Sequence, residues 1–339
     1  MSKVHSVLQR FPVSSYRQHE RIVRLVLQYG LWLVFVFVFI GLAVASPFFL
    51  TSENLLDIGR QTTAVIIVSV AMTLVISTAG IDLSVGAIIT ALTTMLAYLL
   101  QLGVAGWLVL SAVLLAGASI GLVNGLFIAY QEVPPFVVTL ATLTALRGVA
   151  LIITEGRAIP VRDPLILAFG RQNVLGVPLS IVLAAGAVLL GAFFLRRTQF
   201  GVHVLAVGGN EEAARLVGVN VPRVKLTVYG LSGVASGIAS LIVAGRVGAG
   251  SPSSGVGTEL DVITGVIIGG TNLFGGEGTV FGSVLGAFFV AVVGNGLTLL
   301  HISPYYAQVI TGVILLLAIW LNVRAHKIGT REPAVLHKE

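Results

Sequence analysis

Long apolar blocks separated by short polar connections dominate the pattern along the chain. About 20 mostly apolar residues suffice to cross a bilayer as a helix. Ten segments reach or approach that length: 31–50, 61–79, 84–101, 107–130, 136–154, 177–195, 226–245, 259–274, 279–300 and 305–322. The eighth is short and interrupted by glycine, which predicts a broken or partial crossing. A membrane β-barrel would instead alternate apolar and polar positions in segments of roughly 10. The solid blocks therefore predict an all-α polytopic membrane protein of about 10 transmembrane helices.

The polar residues between the blocks set an orientation. Ten crossings return both termini to one side. With the N-terminus inside, the inner segments hold Lys3, Arg10, Arg17, Arg21, Arg24, Arg196, Arg197, Arg215, Arg223, Lys225, Arg324, Lys327, Arg331 and Lys338, which is 14 of the 20 basic residues. Arg60, Arg157, Arg162, Arg171 and Arg246 fall at the opposite boundary, and Arg147 lies within a span. Cytoplasmic loops carry the excess of Lys and Arg, so the reading is N-in, C-in. It divides the chain into a cytoplasmic N-terminal segment 1–30, one transmembrane domain 31–323 with a cytoplasmic loop 196–225, and a cytoplasmic tail 324–339. Val23, Val26 and Leu27 share a face, which suits either an amphipathic surface segment or a disordered tail. Ala43-Val44-Ala45 resembles a cleavage site, but the apolar run before it is too long for an ordinary signal core, so an uncleaved first span is expected.

Composition agrees. The chain is 56% hydrophobic and 10% charged, against about 25% charged in soluble domains. A net charge of +6 would suggest nucleic acid in a soluble protein. Here the basic residues sit at span ends, so they report topology and no nucleic-acid partner is expected. With no cysteine, disulfides and thiolate chemistry are excluded. The six histidines are scattered without an i, i+4 pair, and no metal site is implied.

The stretch VGGNEEAARLVGVNVPRVK at 207–225 is polar in apolar surroundings. Asn210 is a good N-cap. Glu211 and Glu212 then suit the positive end of a helix, with Arg215 towards its other end. Gly218 suits the C′ position, and Pro222 is expected to delay the next helix. Ala213, Leu216 and Val217 share a face, with Ala214 between them. A helix of about two turns is marginal unless it packs on something. That support is either its own bundle or another protein.

Four further features bear on function. Asp82 in AGIDLSVG (79–86) is costly near a membrane; Asp82 or Ser84 caps the following helix, breaks it beside a solute path, or both. TELD (258–261) supplies Glu259 and Asp261, either a docking site at the outer mouth or a capped, solvated rim. Arg147 needs a partner, with Glu155, Asp163 and backbone carbonyls as candidates. Asn124 and Asn295 each precede a glycine inside a span and suit helix pairing or contact with a polar solute. GGTNLFGGEG (269–278) lacks the lysine of a phosphate loop, so its glycines are read as close helix packing, like GASIG (117–121) and GSVLG (282–286). A weak repeat relates Gly117, Gly121, Asn124, Gly125 and Pro135 to Gly282, Gly286, Asn295, Gly296 and Pro304, and Asp82 to Asp261. Five spans separate the partners, which predicts an inverted repeat of the kind found in transporters.

EAARLVG at 212–218 matches the E-A-A-x-x-x-G core of cytoplasmic loops in ABC importer permeases. The wider AVGGNEEAARLVGVNVPRVK resembles the ribose/galactoside/arabinose-type branch. So do TLVISTAGIDLSVGAI (73–88), PPFVVTLATLTALRGVALIITEG (134–156), GTELDVITGVIIGGTNLFGGEGTVFGSVLGA (257–287), and NGLTLL with SPYYAQVITGVILLLA (295–318). The resemblance covers roughly 50–322 in the same order. It implies a type II ABC importer-like permease for a monosaccharide or similar polyhydroxylated solute in the bacterial inner membrane. Residues 210–218 would be the coupling helix. The implied partners are a second permease copy or a related permease, a cytoplasmic ABC ATPase that binds ATP and Mg, and a periplasmic sugar-binding protein. The chain has no G-x-x-x-x-G-K-[ST] motif and needs no cofactor of its own on this reading. The alternative is an ion-coupled secondary transporter, which would require acids at mid-span. A membrane-embedded enzyme has no His/acid or His/Cys constellation to support it.

Overall fold

The structure, a computed structural model, describes residues 35–329. The expected N-terminal segment 1–30, the start of the first span and the end of the C-terminal tail lie outside the described residues. The described chain is helical: α1 (Phe35–Ala45), α2 (Ser52–Ser77), α3 (Val85–Gln101), α4 (Gly106–Tyr130) and α5 (Pro135–Thr154) come first. A connecting region follows, with β1 (Ile159–Pro160), α6 (Pro164–Arg171) and the hairpin β2 (Asn173–Val174)–β3 (Val177–Pro178). Then come α7 (Leu179–Arg197), α8 (Gln199–Gly209), α9 (Glu211–Leu216) and α10 (Val221–Val247). The chain continues through β4 (Ala249–Gly250), α11 (Thr258–Ile268), α12 (Val280–Leu299) and α13 (Pro304–Gly329). Strand β4 pairs antiparallel with β1.

Six described helices are long and apolar enough to cross a membrane: α2, α4, α5, α7, α10 and α12. Helix α11 has 11 residues, roughly 16 Å at 1.5 Å per residue, so 259–274 is not a complete crossing. Several boundaries move for local reasons. Thr51 caps α2 by accepting from the Asn54 amide at 3.3 Å, so that helix starts well before residue 61. Asn220 caps α10, and Pro222 sits in its first turn. Proline there gives up an N–H that would have no intrahelical partner; it opens the helix instead of delaying it. Helix α13 runs on to Gly329, past the expected end at 323. The loop 196–225 holds two helices, not one.

Helices α2 and α10 carry most of the core, with Val68, Met72, Val75, Val228, Tyr229 and Val243 buried among neighbours. Helix α4 packs on α10 backbone to backbone. A side chain on Gly121 would strike the Tyr229 carbonyl, and one on Gly117 the Gly233 carbonyl. The register falls on one helix as it rises on the other, so the two are antiparallel. Helices α11 and α12 meet in the same way through Gly265 against Gly286 and Gly269 against Gly282. Helices α2 and α12 are also antiparallel, joined by Thr73–Ser283 at 2.7 Å and by Asn54–Asn295. The packing of α4 on α10 is thus matched by that of α12 on α2, and the packing of α3 on α5 by that of α11 on α13.

Candidate functional site

Helix α2 ends at Ser77, and residues 78–84 fold into a short irregular loop before α3. The Val75 carbonyl accepts from the Thr78 amide at 3.0 Å and the Gly80 amide at 3.2 Å, closing α2 tightly. Asp82 is 0% exposed. Its carboxylate accepts from the Ser84 amide at 2.9 Å, the Ser84 hydroxyl at 2.5 Å and the Ser232 hydroxyl of α10 at 2.7 Å. Asn124 of α4 donates to Ser84 Oγ at 3.0 Å, and Thr142 of α5 donates to Asn124 Oδ1 at 2.6 Å. Every donor along this chain points towards Asp82, which is held as an acceptor by three hydrogen bonds rather than by a cation. Ser84 occupies the N-cap position of α3, but its hydroxyl turns to Asp82 and not to the amides of the helix. The sequence expectation paired Asp82 with capping or a helix break; the structure joins Asp82, Ser84 and Asn124 in one network at that break.

The second break is the segment between α10 and α11. Gly250 lies against Thr93 of α3, and Gly255 against Gly86, with the Gly255 amide donating to Thr90 Oγ1 at 3.1 Å. From Thr93 to Gly86 the segment descends roughly 10 Å along α3, so α11 begins inside the bundle. Glu259, in its first turn, is 6% exposed. Arg147 Nη2 of α5 bonds Glu259 Oε1 at 2.8 Å. Glu259 Oε2 fills the space a side chain on Gly86 would occupy.

These positions correct two expectations. Arg147 pairs with Glu259, not with Glu155 or Asp163. Glu155 is the exposed left-handed cap of α5 (φ 50°), and Asp163 caps α6 by accepting from the Ile166 amide at 3.1 Å. Glu259 is not on a solvated rim, because the chain after α10 turns back into the bundle before α11 starts; Asp261 beside it is half-buried. Asn295 also stands apart from the Asp82 network: its amide donates to Asn54 Oδ1 at 2.9 Å, at the far end of α2.

At the basic end of the bundle, Asn210 Oδ1 accepts from the Ala213 amide at 2.9 Å and opens α9. Glu211 pairs with Arg215 at 3.2 Å and with Lys225 of α10 at 2.7 Å, pinning α9 to the bundle. Gly218 adopts φ +88°, and its amide closes on the Arg215 carbonyl at 3.1 Å. Ala214 is buried, Glu212 and Ala213 face outward, and Leu216 and Val217 are 83% and 80% exposed. Just before α9, a side chain on Gly208 would strike the Ser77 carbonyl, which accepts from the Gly276 amide at 3.1 Å. The end of α8, just before α9, therefore meets the end of α2 with glycine against backbone, beside the buried Val204 and Val207.

Sequence reasoning missed Ser232, Thr142 and Gly208. For Ser232 a signal existed: Ser232, Ser236 and Ser240 recur every four residues in an otherwise apolar helix. Thr142 and Gly208 are placed only by tertiary packing. Among the described residues, no group of three or more His, Asp or Glu could hold a metal ion.

Interrupted helices inside the bundle, with buried Asp82 held by protein donors and Glu259 paired to Arg147, suit a helical membrane transport component. The chain belongs to the family described as branched-chain amino acid transport system / permease component, which it matches over residues 54–319. It is 37% identical over 292 residues to the ribose import permease protein RbsC of Haemophilus influenzae, covering 84% of this chain and 90% of that protein. RbsC of Escherichia coli K12 is 37% identical over 281 residues, covering 82% and 88%. The L-arabinose transport system permease protein AraH of Escherichia coli K12 is 38% identical over 292 residues, covering 86% and 89%. No solved structure matches the chain.

Proposed function

We propose that the chain is the transmembrane permease subunit of an ATP-binding-cassette importer that carries a monosaccharide or similar small polyhydroxylated solute across the bacterial inner membrane. Residues 31–323 act as one transmembrane domain of about 10 spans and inverted halves, with N-terminus and C-terminus in the cytoplasm. Residues 210–218 dock on a separate ATPase that binds ATP and Mg. A second permease, identical or related, completes the path, and a periplasmic binding protein delivers the solute. The observation that carries the docking is α9 itself: a capped six-residue helix, pinned by Glu211 yet leaving Leu216 and Val217 bare among the basic residues of one end. The relatives import ribose and arabinose by name, which supports the solute class. The ion-coupled alternative is set aside, since the family is one of transport-system permease components and the Asp82 carboxylate is consumed by three protein donors.

The test is Leu216→Asp with Val217→Asp, co-expressed with the ATPase. Both side chains are exposed, so the fold is expected to survive. ATP-dependent uptake in proteoliposomes with binding protein present is expected to fall at least tenfold, with loss of the ATPase from the purified complex. Undiminished uptake, or uptake driven by an ion gradient without ATP, refutes the proposal.

A further inference from the structure

A second polar site lies at the end of the bundle opposite α9. Asp57, Arg60 and Gln61 of α2, Gly170 and Arg171 of α6, and Arg246 of α10 line a cavity of about 370 Å³. Three guanidinium groups face one carboxylate there. Asp57 pairs with Arg60 at 3.2 Å. Arg171 donates to the Arg246 carbonyl at 3.4 Å. The Arg246 guanidinium has no hydrogen-bond or ion-pair partner among the described residues. Gly170 lets α6 lie directly against the α10 backbone at Arg246, where any side chain would collide. The wall is therefore rigid, and its charges are held together by packing rather than by mutual attraction.

The depth of this cavity is fixed by helix length. From Arg223 to Arg246, α10 rises roughly 34 Å, about the thickness of a bilayer core. With Arg223 and Lys225 at one headgroup layer, Arg246 stands at the other. Helix α7 gives the same measure, since Arg196 and Arg197 end it roughly 27 Å from its first residue, Leu179. Immediately before Leu179 comes the β2–β3 hairpin. Its tip is apolar and uncovered: Leu175 is 100% exposed, and Val174 and Val177 are exposed beside it. Asn173–Pro178 is thus an apolar finger at headgroup level, on the end of a helix with a largely exposed surface, and only Gln172 separates it from Arg171.

We propose that this cavity binds the phosphate headgroup of an anionic phospholipid, with the hairpin tip seated among that leaflet's acyl chains. Surplus positive charge recognises the phosphodiester. The bare Val174–Val177 turn supplies the apolar contact that a free anion would not need. Which leaflet this is follows from the orientation proposed above; the site itself does not depend on it.

The experiment uses the full chain in nanodiscs of mixed phosphatidylglycerol and phosphatidylethanolamine, with retained lipid read by native mass spectrometry after extraction. The wild type is expected to hold phosphatidylglycerol in preference. Arg60→Gln, Arg171→Gln and Arg246→Gln together are expected to weaken that retention about 150-fold, the worth of three cations removed at a membrane surface. Lysine at the same three positions is expected to keep the preference, which separates loss of charge from misfolding. Leu175→Ser, at a fully exposed position, is expected to weaken retention severalfold with the fold intact. Equal phosphatidylglycerol retention by the wild type and the glutamine variant overturns the proposal. Protection by inorganic phosphate with no preference among lipids overturns it in favour of a free anion. A glutamine variant that keeps its lipid and loses affinity only for a binding protein overturns it in favour of protein docking. Solute uptake is not a readout, so this proposal and the permease function can fail separately.

Discussion

The Asp82 network allows a prediction whose size follows from counted bonds. Asp82→Ala removes the acceptor of three buried donors: the Ser84 amide, the Ser84 hydroxyl and the Ser232 hydroxyl. An orphaned buried donor costs about 1–3 kcal/mol. The Ser84 and Ser232 hydroxyls can rotate to backbone carbonyls nearby, so each is charged at the low end; the amide cannot move and stands near the middle. The sum is about 4 kcal/mol. Asp82→Asn differs in kind. Its remaining oxygen still accepts from Ser84, and its new amide can donate to Ser232 Oγ. A loss below about 1.5 kcal/mol is expected. At roughly 2 °C per kcal/mol for a chain of this size, the Ala variant is expected to unfold about 8 °C below the wild type in detergent, and the Asn variant within about 3 °C of it. The scan rate must be held fixed, since membrane proteins unfold irreversibly. If the Ala variant matches the wild type, or the Asn variant falls as far as the Ala variant, the hydrogen-bond reasoning is wrong.

Other outcomes follow from the same geometry. Arg147→Ala is expected to cost about 2 kcal/mol, less than a fully buried pair because the arginine is 38% exposed; Arg147→Met with Glu259→Leu is expected to recover most of it in a thermal-unfolding double-mutant cycle. Gly208→Val is expected to leave the ATPase bound in pull-down while abolishing ATP-driven uptake, because its side chain would strike the Ser77 carbonyl. Asn210→Ala removes the cap of α9 at about 1 kcal/mol, expected as a severalfold weaker association with the ATPase in titration and an unchanged unfolding temperature for the bundle.

The helical class and the six long apolar helices were legible because a crossing helix is mostly a matter of length and hydropathy. The cap chemistry of α9 was legible too, since Asn210, Glu211 and Gly218 act on neighbours within a few residues. The interior of the site was not. The position of Glu259 depends on the chain after α10 turning back along α3, and that turn is made by Gly250 and Gly255 touching Thr93 and Gly86, far away in sequence. Without it, TELD reads as an outer loop and Arg147 is assigned to local acids. Asn124 and Asn295 look equivalent by repeat, yet one meets Ser84 and the other Asn54. Their partners come from different helices, and the repeat carries no information about those.

The two breaks and the loop after α11 raise the question of how irregular backbone survives inside an apolar bundle. Such backbone is tolerated where protein groups satisfy it. Residues 78–84 are satisfied by the Asp82 network, residues 248–257 by β1 and Thr90, and the loop after α11 by the Ser77–Gly276 bond. Each is held by a few discrete bonds in place of a helix ladder, so each is cheaper to deform than the helices it joins. The C-terminal end of α8 abuts the end of α2 and the loop after α11, with Gly208 directly against the Ser77 carbonyl and the Gly276 amide. On the proposed docking, a displacement of α9 would meet the end of α2 at Gly208, and the Asp82 loop hangs from that end. Contiguity alone does not establish energetic coupling. On the proposed docking of α9, a variant at Gly208, Ser77 or Gly276 is therefore expected to impair transport without altering the exposed face of α9.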